Sequence, residues 1–258
     1  MTEPDPMRAG AAEDVGSLVA RMTGPTAADR GRAERGRDLA MLGRALAGSA
    51  RRAGRTSVLT GGWLADLLAD VAPRIPIRDA GTLRAQHPGL DEDALARALV
   101  TGAARASGTV GAAGGALAAV EFAAPPTLLS APAQLAAETL LVAAIEIKLI
   151  AELHEIYGVP VQGTGRERAV AYLTAWTERR GIDPLRPGSL RFSLGTAAKR
   201  SLRSRLVRRA GRNLSTLGPL MSGAVAGSIV NARETRRLAG QVQQDLRRRI
   251  VVPPAPGA

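Results

Sequence analysis

The sequence predicts an all-α protein: a single multi-helix domain around a central, buried, Gly/Ala-rich helical hairpin. Three observations carry that expectation. No stretch of any length alternates apolar and polar residues as a half-buried strand does. The 258 residues contain only two each of Trp, Tyr and Phe, so Ala, Leu, Val, Ile and Gly must fill the core. Such small side chains suit close helix approach better than sheet packing. Finally, residues 134–157 are apolar nearly all round, as in a helix buried on every side.

The elements follow in order. Residues 1–35 are polar, charge-balanced and punctuated by Gly and Pro, and are expected to be a mobile N-terminal segment. The domain is expected over 36–250. From Arg37 to about Arg52, Leu39, Met41, Leu42, Ala45 and Leu46 recur at helical spacing. A second helix carries Trp63, Leu64, Leu67, Leu68 and Val71, and Pro73 ends it. Pro73–Arg78 reads as an extended connector. The acids Asp91, Glu92 and Asp93 suit the positive end of a third helix, running through Leu95, Leu99 and Val100 toward Gly108.

Residues 109–157 form the expected hairpin. Its first arm, 109–120, places Gly111, Gly115 and Ala119 four apart, so one helix face is bare backbone. Pro125 and Pro126 break it, and a long helix follows to Tyr157, stopped by Gly158 and Pro160. The longest uncharged runs within this hairpin, 106–120 and 122–137, have 15 and 16 residues. Both fall short of the ~20 apolar residues that cross a bilayer, so burial in protein is preferred. Thr164 and Glu167 have capping-box spacing and open a helix with Val170, Leu173 and Trp176 on one side. Arg179, Arg180 and Gly181 end it. A loop is expected over 182–195, with a short extended piece around 190–194. A basic helix over 197–212 and a Gly-rich apolar block over 217–230 come next. The last helix is amphipathic and is striped by Leu238, Val242 and Leu246. Residues 251–258 read as a disordered tail.

Composition excludes several chemistries. There is no cysteine, hence no disulfide scaffold, thiolate metal site or cysteine nucleophile. The histidines are His87 and His154 alone. His154-Glu155 begins like a zinc helix, but the position one turn on is Gly158 rather than a second His. Gly163-Thr164-Gly165 opens like a dinucleotide fingerprint, yet Arg168 stands where its last Gly belongs, and no strand precedes it. No catalytic, metal or cofactor-binding residue is indicated, so the expected protein is not an enzyme. The first residues lack a signal-peptide pattern, and a cytoplasmic location is expected.

Charge patterning is more informative. On a helical wheel Glu138, Lys148, Glu152 and Glu155 share a sector, expected to be the wet seam of an otherwise buried helix, with Lys148 and Glu152 as an i,i+4 pair. Glu146 projects among Val142, Ile150 and Leu153. As a buried acid it must find an Arg or titrate high, and a structural ion pair is preferred over a functional acid. The formal net charge is +12, and no carboxylate occurs between Asp183 and Glu234. Arg200, Arg203, Arg205, Arg208, Arg209 and Arg212 lie in that window. Arg205, Arg208, Arg209 and Arg212 share one helical sector, opposite Leu206 and Ala210, with Leu202 near the boundary. Such like charges repel unless something anionic compensates. An anionic membrane surface and the protein's own acids stand level as partners, with nucleic acid behind them because no aromatic interleaves the cluster for base stacking. The adopted reading is an external anionic surface bound by these six arginines.

The Gly114-Gly115 segment, the helix ending Ile156-Tyr157-Gly158, and the block Leu217–Asn231 occur in an order that resembles the EcsC protein family over roughly 100–245. That resemblance implies a cytosolic helical protein working at or near the inner membrane face, against anionic lipid or a membrane protein, and supplies no catalytic residues. Gly223 and Gly227, in GxxxG spacing, suit close helix packing inside the fold or between protomers of a homo-oligomer, as Gly111 and Gly115 do on the hairpin.

Overall fold

Among the described residues every other α-helix touches α6, Ser130–Ile156. A computed structural model describes residues 6–24, 31–60, 62–121, 130–180 and 219–251. The remaining helices are α1 (Pro6–Thr23), α2 (Arg32–Thr60), α3 (Gly62–Val71), α4 (Ala80–Gln86), α5 (Glu92–Glu121), α7 (Gly165–Arg179) and α8 (Pro219–Val251). No strand occurs among the described residues, and the fold is all-α, in one domain. Leu140, Leu141, Ile147, Ile150 and Leu153 of α6 are buried on successive sides of the helix. A helix without a polar face reaches its lowest free energy as the centre of a bundle.

Four features depart from the sequence reading. The N-terminal segment is not simply mobile: α1 lies in it and buries Val15, Leu18 and Val19 in the common core. Those three residues recur at i, i+3 and i+4, a short apolar stripe that the surrounding polar composition hides. Helix α4 carries no periodic apolar signal in the sequence. It has only seven residues, and its start is fixed by Asp79, whose side chain accepts from Thr82 N at 2.7 Å. The connector before it begins as a 3-10 turn at Ala72–Arg74 and is extended only from Ile75. Val170 is 54% exposed, so the buried face of α7 is Ala169, Tyr172, Leu173 and Trp176.

Two pairs of expected segments are single helices. α5 runs through Gly108 without a break, and the Gly-rich block and the final amphipathic helix are both α8. Interior glycine costs a helix about 1 kcal/mol relative to alanine. Here it is offset by packing, because α5 and α8 lie antiparallel in the most extensive helix pair of the described structure. The expected helix starts at 91 and 164 hold: Asp91 Oδ1 accepts from Ala94 N at 2.6 Å, and Thr164 and Glu167 form a full capping box.

Candidate functional site

The antiparallel register of α5 and α8 is fixed by small residues. A Cβ on Gly111 would stand 2.7 Å from the carbonyl carbon of Gly227 and 2.7 Å from Asn231 Nδ2; one on Gly108 would stand 3.0 Å from Ser228 Oγ. Only glycine admits such an approach. Gly115 and Gly223 lie one turn further along their helices, toward the same end of the bundle. That end is formed by the C-terminal part of α5, the N-terminal part of α6 and the N-terminal part of α8.

On the outer side of α8 at this end, Val225, Ile229 and Val230 are 52%, 60% and 50% exposed. Arg233, Arg236 and Arg237 are exposed immediately beyond them. At 100° per residue these six positions fall in one outward sector about 140° wide. The two acids of α8 are engaged elsewhere, Glu234 with Arg180 at 3.7 Å and Asp245 with Arg179 at 2.9 Å. No ion pair to Arg233, Arg236 or Arg237 forms among the described residues. Arg105 of α5 is exposed at the same level, two residues from Ser107, whose hydroxyl meets that of Thr235 at 3.0 Å. The result, among the described residues, is an apolar patch on α8 with a cationic collar.

Beneath the collar lies a polar joint. Glu146 is fully buried, and its carboxylate accepts from Trp176 Nε1 at 2.8 Å, from Thr235 Oγ1 at 3.0 Å and from Arg180 Nε at 3.2 Å. Arg180 Nη2 also donates to it. Asn231 Nδ2 donates to Ser107 O at 3.3 Å. α5, α6, α7 and α8 are thus joined through one charge whose acceptor positions are filled, an arrangement that holds structure rather than reacts. Trp176 and Arg180 stand four apart on their helix, a spacing that could have marked them as a pair facing one partner.

The expected wet seam is corrected. Glu152 is only 3% exposed and is clamped by Arg78 Nη2 at 2.7 Å and Lys148 at 2.9 Å. Lys148 also donates to Pro76 O. Burial pushes the Lys148 ammonium below its ordinary pKa, against the opposing pull of Glu152. The contact with Glu152 raises that of Arg78. The connector of 75–79 covers this side of α6, so what projects as a solvent stripe is an interhelical clamp. Glu155 is paired with Arg168 at 2.6 Å.

Arg200, Arg203, Arg205, Arg208, Arg209 and Arg212, with the whole expected basic helix 197–212 and the loop 182–195, lie outside the described residues, as does the tail from 252 onward. Among the exposed cations that the structure does place, Arg233, Arg236 and Arg237 of α8 are the ones that continue an exposed apolar patch. The sequence pattern does not single them out, because 217–230 reads as a packing block and the helix after it as an amphipath defined only by its inner stripe. Among the described residues no group of three or more acids and histidines is placed to hold a metal ion. Nor is any helix of the described residues long and apolar enough to cross a membrane.

No protein-family model matches this chain, and neither does any curated protein or solved structure.

Proposed function

We propose that the protein is a non-enzymatic, peripherally membrane-associated protein that seats the apolar patch of α8 on an anionic lipid surface, in keeping with the EcsC-like order of its segments. The observation that carries this reading is the continuity, on one outward face of α8, of Val225, Ile229 and Val230 with Arg233, Arg236 and Arg237. Val225, Ile229 and Val230 enter the headgroup boundary, and the guanidinium groups one to three turns further along α8 meet phosphates, at ~1 kcal/mol per cation near such a surface. Val225 and Arg237 are about 18 Å apart along the helix axis, so both sets reach one tilted interface. The six arginines of 200–212, in a window free of acids, add attraction of the same sign.

Flotation with neutral and anionic vesicles, beside a duplex-DNA gel shift at matched salt, tests the reading. Binding to anionic vesicles that weakens with salt is expected, and it should fall sharply in V225D/I229D and in R233Q/R236Q/R237Q. Tight duplex binding without vesicle binding would assign the cations to nucleic acid. Dimerisation abolished by V225D/I229D, with no vesicle binding, would assign the apolar patch to a second copy of the chain.

A further inference from the structure

α7 and α8 barely touch, and the space between them is a cleft of about 440 Å3 floored by α6 and bridged by the Arg179–Asp245 pair. That volume falls in the range of small-molecule sites. His154 and Tyr172 line its floor, and Glu178, Arg179, Asp245 and Arg249 its rim. His154 is 7% exposed, and its ring meets Tyr172 edge-on with centroids 5.3 Å apart. Its Nδ1 lies 2.7 Å from Ile150 O. A carbonyl only accepts, so Nδ1 carries the proton and Nε2 is the acceptor of the ring. Arg179 donates to Ala175 O and Asp245 Oδ2, while its buried Nε has no acceptor. An acceptor nitrogen of His154 and the guanidinium of Arg179 therefore belong to residues of one cleft, beside an Arg249 that forms no ion pair among the described residues.

We propose that this cleft binds a small phosphate-bearing ligand, anchored by Arg249 and Arg179, whose P–O–H donates to His154 Nε2. A carboxylate or sulfate at neutral pH offers only acceptors, whereas hydrogen phosphate, or a phosphomonoester monoanion, offers one donor together with charged acceptors. Burial, with Arg179 and Arg249 nearby, holds the His154 imidazole below its ordinary pKa, so it stays neutral and keeps Nε2 free to accept. Glu178 is exposed at the rim and disfavours highly charged anions; Asp245 is neutralised by Arg179, and Glu155 by Arg168. From Ile229 to Arg249 is twenty residues of helix, about 30 Å, so this site is distinct from the apolar patch and does not depend on it.

The chain has only two histidines, so imidazole C–H resonances report the site directly, with His87 as reference. Titration of the full chain with inorganic phosphate at constant ionic strength should shift His154 saturably and leave His87 in place. Sulfate should bind about tenfold more weakly, and Arg249→Gln should weaken phosphate about tenfold, the value of one charge-assisted contact. Phosphatidylglycerol vesicles without phosphate should leave His154 unshifted. An unsaturable shift, an equal response to sulfate, parallel movement of His87, or full binding by Arg249→Gln would each overturn the proposal. A shift produced by vesicles but not by phosphate would do the same. None of these outcomes bears on vesicle binding by V225D/I229D, so the two readings fail separately.

Discussion

Gly111 and Gly227 meet backbone to backbone where α5 crosses α8, and a Cβ on Gly227 would stand 2.9 Å from the carbonyl carbon of Gly111. Both atoms belong to helical backbone, which cannot rotate aside as a side chain can. Helix propensity alone favours alanine at either site by about 1 kcal/mol. Overpacking costs typically ~1–3 kcal/mol and must exceed that gain here. Gly111→Ala and Gly227→Ala are each expected to lower the urea midpoint. Gly102→Ala, where nothing lies within 4 Å, should leave it unchanged or raise it.

The joint at Glu146 predicts strong asymmetry between single and double substitutions. Arg180→Leu leaves a buried carboxylate with only Trp176 and Thr235 as donors, and should cost ~3–5 kcal/mol, as for other buried pairs broken on one side. E146L/R180L removes the charge as well and should recover part of that loss. A double-mutant cycle with an interaction energy near zero would show that Arg180 does not support Glu146.

His154 sets a pH dependence whose sign follows from its environment. Its folded pKa lies below the ordinary 6.5, chiefly through burial. As pH falls below that value the unfolded chain takes up the proton first, so this histidine lowers stability in acid, and stability rises with pH through the same window. His154→Gln should therefore flatten the dependence of the urea midpoint on pH between pH 7 and pH 5. A variant as acid-sensitive as the parent would remove His154 from the account.

The capping box of α7 supplies a local prediction. Thr164→Ala removes the acceptor for Glu167 N and should cost ~1 kcal/mol, read from the thermal midpoint. The backbone N–H of Thr164 in turn holds the Glu167 carboxyl below its ordinary pKa. That contribution is complete above the ordinary carboxylate value and disappears as pH falls through the folded value, so the effect of Glu167→Ala should vanish in acid.

The sequence by itself determined the helical class and most helix positions, because periodicity, caps and apolar faces are local properties. The spacing of Thr164 and Glu167 specifies one helix start whatever packs above it, and the nearly all-round apolarity of 134–157 requires that segment to be central. It also specified that Glu146 needed a partner, since its projection among Val142, Ile150 and Leu153 leaves no route to water. Which partner met it was a matter of tertiary structure: Arg180 and Thr235 are 34 and 89 residues away, and no local rule ranks them above other candidates. The same holds for Glu152, which projects as a wet seam until Arg78, 74 residues away, folds over it. Exposure of Val225 and Ile229, and the opening between α7 and α8, are likewise properties of what does not pack. A helical wheel divides one helix into faces, but only the neighbours decide which face is left in water, because burial is settled by the summed contact of all the helices at once.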